Sequence, residues 1–218
     1  MEISRKKYFW EALVISVIIF GLGIFLGYML ELNRTSSIIS VYQQSELDML
    51  DIKIQENILA AGTFDCNKFF NETIDFANRI YDEAQSLQKF EDSSTLTSGL
   101  IQQHEKYDLL RATLWMNSIS LKQKCQSKFS TVVYFYSYNT KDIDLKSKQA
   151  IFSNELSILK QNYGDKLVLI PIAGDLGLNS IDILKNEYNI TQYPTILINE
   201  KTKIEQVVDL PSLDDYFK

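Results

Sequence analysis

Cys66 and Cys125 are the two cysteines of this 218-residue chain, 59 positions apart. Catalytic dithiols sit close in sequence at a helix N-terminus, where the dipole lowers the nucleophile's pKa. The wide spacing therefore favours a structural disulfide, with a redox-active pair as the alternative. His104 is the sole histidine. It falls within a helical stripe and has no cysteine or paired carboxylates at metal-ligand spacing, so packing or capping outranks a ligand role. Gly174 and Gly177 lack both the GK[ST] ending and the GxGxxG fingerprint of phosphate loops and read as turn glycines. Asp214 and Asp215 follow Pro211 near a helix start, where carboxylates suit the dipole. No catalytic residue, metal ligand or cofactor is assigned, and the reading leans away from an enzyme.

The elements that must position these residues begin with an apolar run. Residues 12–30 (ALVISVIIFGLGIFLGYML) carry no charge over 19 positions. At 1.5 Å per residue they span about 28 Å, the thickness of a bilayer core. Arg5, Lys6 and Lys7 precede the run and only Arg34 follows closely, which predicts a cytoplasmic N-terminus (1–11) and an extracytoplasmic remainder at the plasma membrane. A cleaved signal peptide is the competing reading. Its apolar core is ordinarily shorter and ends in a small-x-small site, which residues 27–33 (GYMLELN) lack, so an uncleaved signal anchor is favoured. Tyr8, Phe9, Trp10 and Tyr28 suit the two membrane faces. Gly23 and Gly27 have GxxxG spacing, compatible with a homo-oligomer or with ordinary anchor composition.

The formal charge of −6 divides into +1 before Ala12 and −7 after it. A surface that acidic repels phosphates and argues against a nucleic-acid partner. Three sequons, at Asn33, Asn71 and Asn189, lie on the predicted exported side and are possible glycosylation sites.

No proline occurs from Met1 to Ile170, and apolar residues recur at three- and four-residue steps after the anchor. Leu47, Leu50, Ile54, Ile58 and Ala61 form one stripe before Gly62. Phe69, Phe70, Thr73, Phe76, Ala77, Ile80, Ala84 and Leu87 form a second, which stops at the polar run 91–95, a predicted turn. A third passes from Leu100 through His104, Tyr107, Leu110, Leu114, Trp115 and Ile119 to Leu121. The spacing predicts a helical, coiled-coil-like hairpin or stalk over 31–129. The midpoint of Cys66 and Cys125 is 95.5, within the turn, so an antiparallel hairpin brings the two thiols together at its far end. In an oxidising compartment they would form a disulfide.

From residue 130 the pattern alternates. Strands are predicted at Thr131–Ser137, Leu167–Ala173, Thr195–Asn199 and Lys203–Asp209, the last two as a hairpin. Helices are predicted at 145–163, stopped by Gly164, at Ser180–Tyr188, capped by Asn179, and at Pro211–Phe217. The order is βαβ, α, ββα.

Residues 186–199 (NEYNITQYPTILIN), in that context, resemble the thioredoxin superfamily, with Tyr-Pro-Thr leading into the third core strand. The resemblance covers about residues 130–218. It implies a cis Tyr193–Pro194 bond and a peptide-binding edge beside it, formed by Tyr138, Asn139, Thr140, Tyr193 and Thr195. Pro171 then suits an edge strand, where a missing N–H is tolerated. Where thioredoxins carry CxxC, directly after the first core strand, residues 137–144 read SYNTKDID. Thiol–disulfide exchange needs a thiolate, and no cysteine is present there.

The fold class expected is thus α/β, a thioredoxin-like βαβ-α-ββα domain (130–218) preceded by a transmembrane helix and an all-α hairpin. The function expected is a redox-inactive binding or assembly module, held in the lipid bilayer and engaging an exported or membrane protein or peptide. Two alternatives stand beside it: disulfide exchange through Cys66 and Cys125, and a structural, oligomeric envelope component.

Overall fold

The computed structural model describes residues 2–62, 64–91, 98–138, 140–206, 213, 216 and 217. The chain is mixed α/β, in the order α1 (Glu2–Ala61), α2 (Cys66–Glu91), α3 (Ser98–Cys125), β1 (Ser130–Tyr136), α4 (Ile143–Tyr163), β2 (Leu167–Ala173), α5 (Asn179–Glu187), β3 (Thr195–Ile198) and β4 (Thr202–Ile204). Contacts divide it into two compact units, Met1–Gln43 and Gln44–Lys218.

The first unit is helical, and its segment Tyr8–Leu30 is long and apolar enough to cross a membrane or to serve as a signal sequence. The large apolar side chains of Tyr8–Leu30 are exposed, as a lipid-facing or translocated segment requires.

In the second unit the strands form one mixed sheet of order β2-β1-β3-β4. β1 and β2 are parallel, pairing Ser130 with Leu167 through Tyr136 with Ala173. β3 runs antiparallel to β1 and β4 antiparallel to β3. Val132, Tyr134, Leu167, Leu169, Ile196, Ile198 and Ile204 share one face and pack on Phe152, Leu156 and Leu159 of α4. This is the period of two meeting an amphipathic helix. Asp142 caps α4, its carboxylate accepting the amide N–H of Asp144 (2.9 Å) and of Leu145 (3.2 Å).

α3 departs most from expectation. Beyond the predicted stripe it buries Asp108, Arg111, Ala112, Asn117 and Ser118. It has no single apolar face because it is enclosed on several sides. Tyr107 Oη donates to Ile80 O of α2 (2.9 Å), Asn117 Nδ2 to Ile52 O of α1 (3.1 Å), and Trp115 lies edge-on to Phe135 of β1, ring centres 6.0 Å apart. The expected segments are a stalk (31–129) and a sheet domain (130–218). α2 and α3 belong to the same compact unit as the sheet, because α3 buries its apolar and polar residues against strands as well as helices.

The first stripe is corrected also. Leu47, Leu50, Ile54 and Ile58 are exposed, while Asp48, Ile52 and Leu59 face inward. α1 ends at Gly62, whose φ of +74° suits the left-handed residue that follows a helix. The second stripe lies as expected, with Thr73, Phe76, Ala77, Ile80, Ala84 and Leu87 buried. β1 begins one residue earlier than predicted, and β4 stops at Ile204. Asn179 is the first residue of α5; Leu178 occupies the cap position without a side-chain bond. The predicted turn at 91–95 and the C-terminal helix fall largely outside the described residues.

The β3–β4 turn holds the sheet to α3. Asn199 and Glu200 both have positive φ (47° and 59°), the type I′ arrangement that matches strand twist. Glu200 is not a residue that favours this region. Its carboxylate accepts from Trp115 Nε1 (2.9 Å), from Lys122 Nζ (2.7 Å) and from the Thr131 hydroxyl, bonds that hold it there.

Cys66 at the start of α2 and Cys125 at the end of α3 are joined as a disulfide. Closing a loop of 59 residues, it is expected to contribute on the order of 4 kcal/mol in the chain-entropy model. A Cys66→Ser/Cys125→Ser double variant should lose about that much stability in urea unfolding; a loss near zero would mean that helix packing alone closes the hairpin. A second expectation concerns pH. Burial raises the Glu83 carboxyl above its ordinary value of 4.5, although the Tyr107 hydroxyl bonded to it opposes the shift. The folded protein then binds the Glu83 proton more tightly than the unfolded chain, so this group's contribution falls as pH rises through and above 4.5. Glu83→Gln should match wild type at acidic pH and gain on it as pH rises, checked by unfolding midpoints at several pH values.

Candidate functional site

The carboxyl ends of parallel strands are where open α/β sheets place ligands. Here three loops meet at the ends of β1 and β2: 137–142 after β1, 174–178 after β2, and 191–194 before β3. The Tyr193–Pro194 peptide bond is cis.

Side chains tie the loops together. Asp175 accepts from the Ser137 hydroxyl (2.5 Å) and from the Tyr138 amide (2.8 Å). Gln149 of α4 brackets Ser137, accepting its N–H (2.8 Å) and donating to its C=O (3.1 Å). Gly174 O receives both Lys185 Nζ of α5 (2.6 Å) and Tyr193 Oη (2.5 Å). Lys185 also bonds Asp182 (2.9 Å) and stands 5.7 Å from the Tyr193 ring centre. A Cβ built on Gly174 would fall 2.6 Å from Tyr193 Cζ. Gly174 is thus required by close approach and Gly177, with φ +74°, by its turn.

The Tyr193 hydroxyl and the Lys185 ammonium both hold their protons more tightly than usual. Burial raises the Tyr193 hydroxyl above its ordinary value despite Lys185 beside it. Burial pulls the Lys185 ammonium down, and its bonds to Tyr193 and Asp182 more than offset that, so the net shift is upward. Neither is primed as a base or nucleophile near neutral pH. Two first-turn amides of α4, those of Asp144 and Leu145, which could otherwise stabilise a thiolate, are already taken by the Asp142 carboxylate. Among the described residues, no group of three or more His, Cys, Asp or Glu side chains is placed to hold a metal ion.

Beneath the 137–142 loop lies a buried polar cluster on α3. Asp108 is wholly buried; it accepts from Arg111 Nη1 (2.8 Å) and from the Ala173 amide (3.2 Å). Arg111 lies over the Tyr107 ring, 4.3 Å from its centre. Burial raises the Asp108 carboxyl, opposed by His104 and Arg111, while Asp108 keeps the Arg111 guanidinium above its own high value in spite of burial. His104 Nε2 stands 2.9 Å from Tyr136 Oη and 3.4 Å from Asp108 Oδ2, and its ring packs on Tyr138 with centres 4.1 Å apart.

Of the residues predicted for the edge, Tyr138, Thr140 and Tyr193 are half-buried around these loops, and Asn139 lies outside the described residues. Thr195 is wholly buried and donates to Gln192 O (2.7 Å), so its side chain supports the loop and is not available to a ligand. Pro194 is buried. Asn71 and Asn189 are exposed; the Asn33 side chain is outside the described residues. Cys66 and Cys125 lie at the ends of α2 and α3, in none of the three loops. Asp175, Lys185, Gln149, Asp108 and Arg111 were not singled out in the sequence. Asp175, next to Gly174 in the turn, carried the nearest signal.

No family model and no curated protein matches the chain. Among solved structures, one titled "Structure of a malarial protein" is 20% identical, covering 40% of this chain and 92% of that one at a TM-score of 0.32.

Gly174→Ala should displace the Tyr193 ring, because the obstructing atoms are the ring and hydroxyl held against the backbone. The expected result is a loss of about 1–3 kcal/mol of stability, recovered in part by combining it with Tyr193→Ala; absence of such coupling would show that the two residues do not meet.

Proposed function

We propose that the chain is a single-pass membrane protein presenting a redox-inactive, thioredoxin-like binding module on the extracytoplasmic face, with its N-terminus in the cytoplasm. The observation that carries this reading is the ordered juxtaposition of the cysteine-free 137–142 loop with the cis-Pro194 loop, bridged through Asp175, Gly174 and Tyr193. The βαβ-α-ββ order, the parallel β1–β2 pair and the antiparallel β3 and β4 support it further. So does the charge asymmetry about the apolar segment. The occupant suited to such an edge is an extended segment of an exported or membrane protein, held by backbone hydrogen bonds and by the faces of Tyr138 and Tyr193.

Photocrosslinking in intact membranes tests the reading. A benzoylphenylalanine at position 138 should capture a discrete polypeptide, one at the exposed position Ile183 should not, and Tyr193→Ala should cut the yield at 138 about tenfold. Equal labelling from both positions, or none from 138, would overturn the binding reading.

A further inference from the structure

We propose that the last turns of α1 pair with the same segment of a second copy of this chain, as a parallel two-stranded coiled coil over residues 47–61. Leu47, Leu50, Ile54, Asn57 and Ala61 are spaced by three, four, three and four residues, the a and d positions of successive heptads. All five are exposed, Leu47 at 62%, Leu50 at 66% and Ile54 at 58%. The residues that α1 turns inward, Ile52 and Leu59, stand at position f of the same heptads, on the opposite side of the helix. α1 thus carries two apolar faces: its own chain covers one and leaves the other to solvent.

The spacing of the open face fits another helix. A three-four repeat is the seam by which one helix packs along a second, and Ile at a with Leu at d favours two strands. Ile54 and Leu50 hold those positions. Asn57 points to a second copy as the partner. Its side-chain amide both donates and accepts, so across a two-fold axis it bonds its own counterpart and needs no other side chain. An Asn in the seam also fixes register, here 57 against 57. Across such a seam Glu46 of one copy meets Asp51 of the second copy, and Lys106, bonded to Glu46 at 2.5 Å, offsets their repulsion. Gln55 holds Asp51 (2.8 Å) along the same helix. The exposed aliphatic side chains of one copy form a patch on the order of 400 Å², the size that marks an interaction site. With its flanks, a pair buries on the order of 1,000 Å², the lower limit for a specific interface. The parallel direction rests on the membrane anchor proposed above, since both copies then leave the bilayer from the same face; the open seam itself does not.

Single added cysteines read the pairing in the full-length protein in its membrane. Cys66 and Cys125 are tied to each other, so an added thiol is the only free one. In a parallel pair every seam residue meets its own copy, whereas in an antiparallel pair only a residue at the axis does. Leu47→Cys and Ala61→Cys, about 21 Å apart along the helix, should therefore both form intermolecular disulfides under mild oxidation, with a product of twice 25.2 kDa. Glu56→Cys, exposed away from the seam, should give little or none. Adding Leu50→Glu and Ile54→Glu to Leu47→Cys should cut its yield about tenfold, because each pair then brings like charges into the seam. Both positions are exposed, so these changes leave the core intact. Four results would overturn the proposal: no more product at 47 and 61 than at 56; product at one of the two alone; a product of another mass, which means a different polypeptide; or a yield that survives the two glutamates, which places the contact elsewhere. The three cysteine variants decide by themselves if the glutamate variant fails to fold. Crosslinking at position 138 is read separately, so failure of the pair and failure of the binding reading are distinguishable.

Discussion

A carboxylate with no access to water, Asp108, obliges the elements around it to supply what the solvent would have supplied. Burying an ion costs several kcal/mol even after relaxation, and the cost is offset only when geometry and hydrogen bonds are complete. Asp108 obtains a cation from Arg111, three residues on, and the amide of Ala173, from the other side of the interface. The second bond matters for the sheet. β2 is an edge strand, and the Ala173 amide bonded to Asp108 points away from β1. Backbone groups alternate along a strand, so residue 171, two positions earlier, faces the same way; being proline, it has no amide to satisfy. At the start of the strand Lys160 donates to Leu167 O (2.7 Å), on the same side. The outer edge of β2 is thus closed by side chains of α3 and α4 in place of another strand.

This explains why α3 could not be placed from its pattern. His104, Tyr107, Leu114, Trp115 and Leu121 were legible as a helical stripe, and all are buried. Asp108, Arg111, Asn117 and Ser118, buried between them, read in isolation as the solvated side of a hairpin. Periodicity reports that a helix has a face; it does not report that polar residues on the other faces have found partners in β2 and α1. The same limit inverted the reading of α1, where Leu47, Leu50, Ile54 and Ile58 have the spacing of a core stripe but Ile52 and Leu59 do the packing. By contrast, the strands were legible almost to the residue, since runs of β-branched and aromatic residues bounded by turns have few other conformations. β2 spans Leu167–Ala173 as expected, and the β3–β4 turn, residues 199–201, falls one position before the three residues between the predicted strands.

The candidate site was partly legible for a related reason. Tyr193 and Pro194 immediately precede a predicted strand, and Tyr138 and Thr140 follow one, so local sequence placed them in loops at strand ends. Asp175, Lys185 and Gln149 act through partners 37, 11 and 12 positions away. Nothing local marks a carboxylate that will accept an amide from another loop. Gly174 shows the difference clearly. Its type suggested a turn, whereas its role is to admit the Tyr193 ring against the backbone, a requirement visible only once the two loops are brought together.

The side chains around the three loops are held in place by one another. Groups that could be reactive are each committed: Asp142 to the first turn of α4, Lys185 and Tyr193 to Gly174 O, Asp175 to Ser137 and Tyr138. Immobilising those side chains during folding means that their conformational entropy is not lost again when a ligand arrives, and preorganisation of this kind raises affinity without any added contact. A thiolate at the start of α4 would have needed the very amides that Asp142 occupies, and an Asp there would have opposed its ionisation. A carboxylate cap and a thiolate at this helix start are therefore mutually exclusive. The chain's one disulfide lies elsewhere, joining the start of α2 to the end of α3.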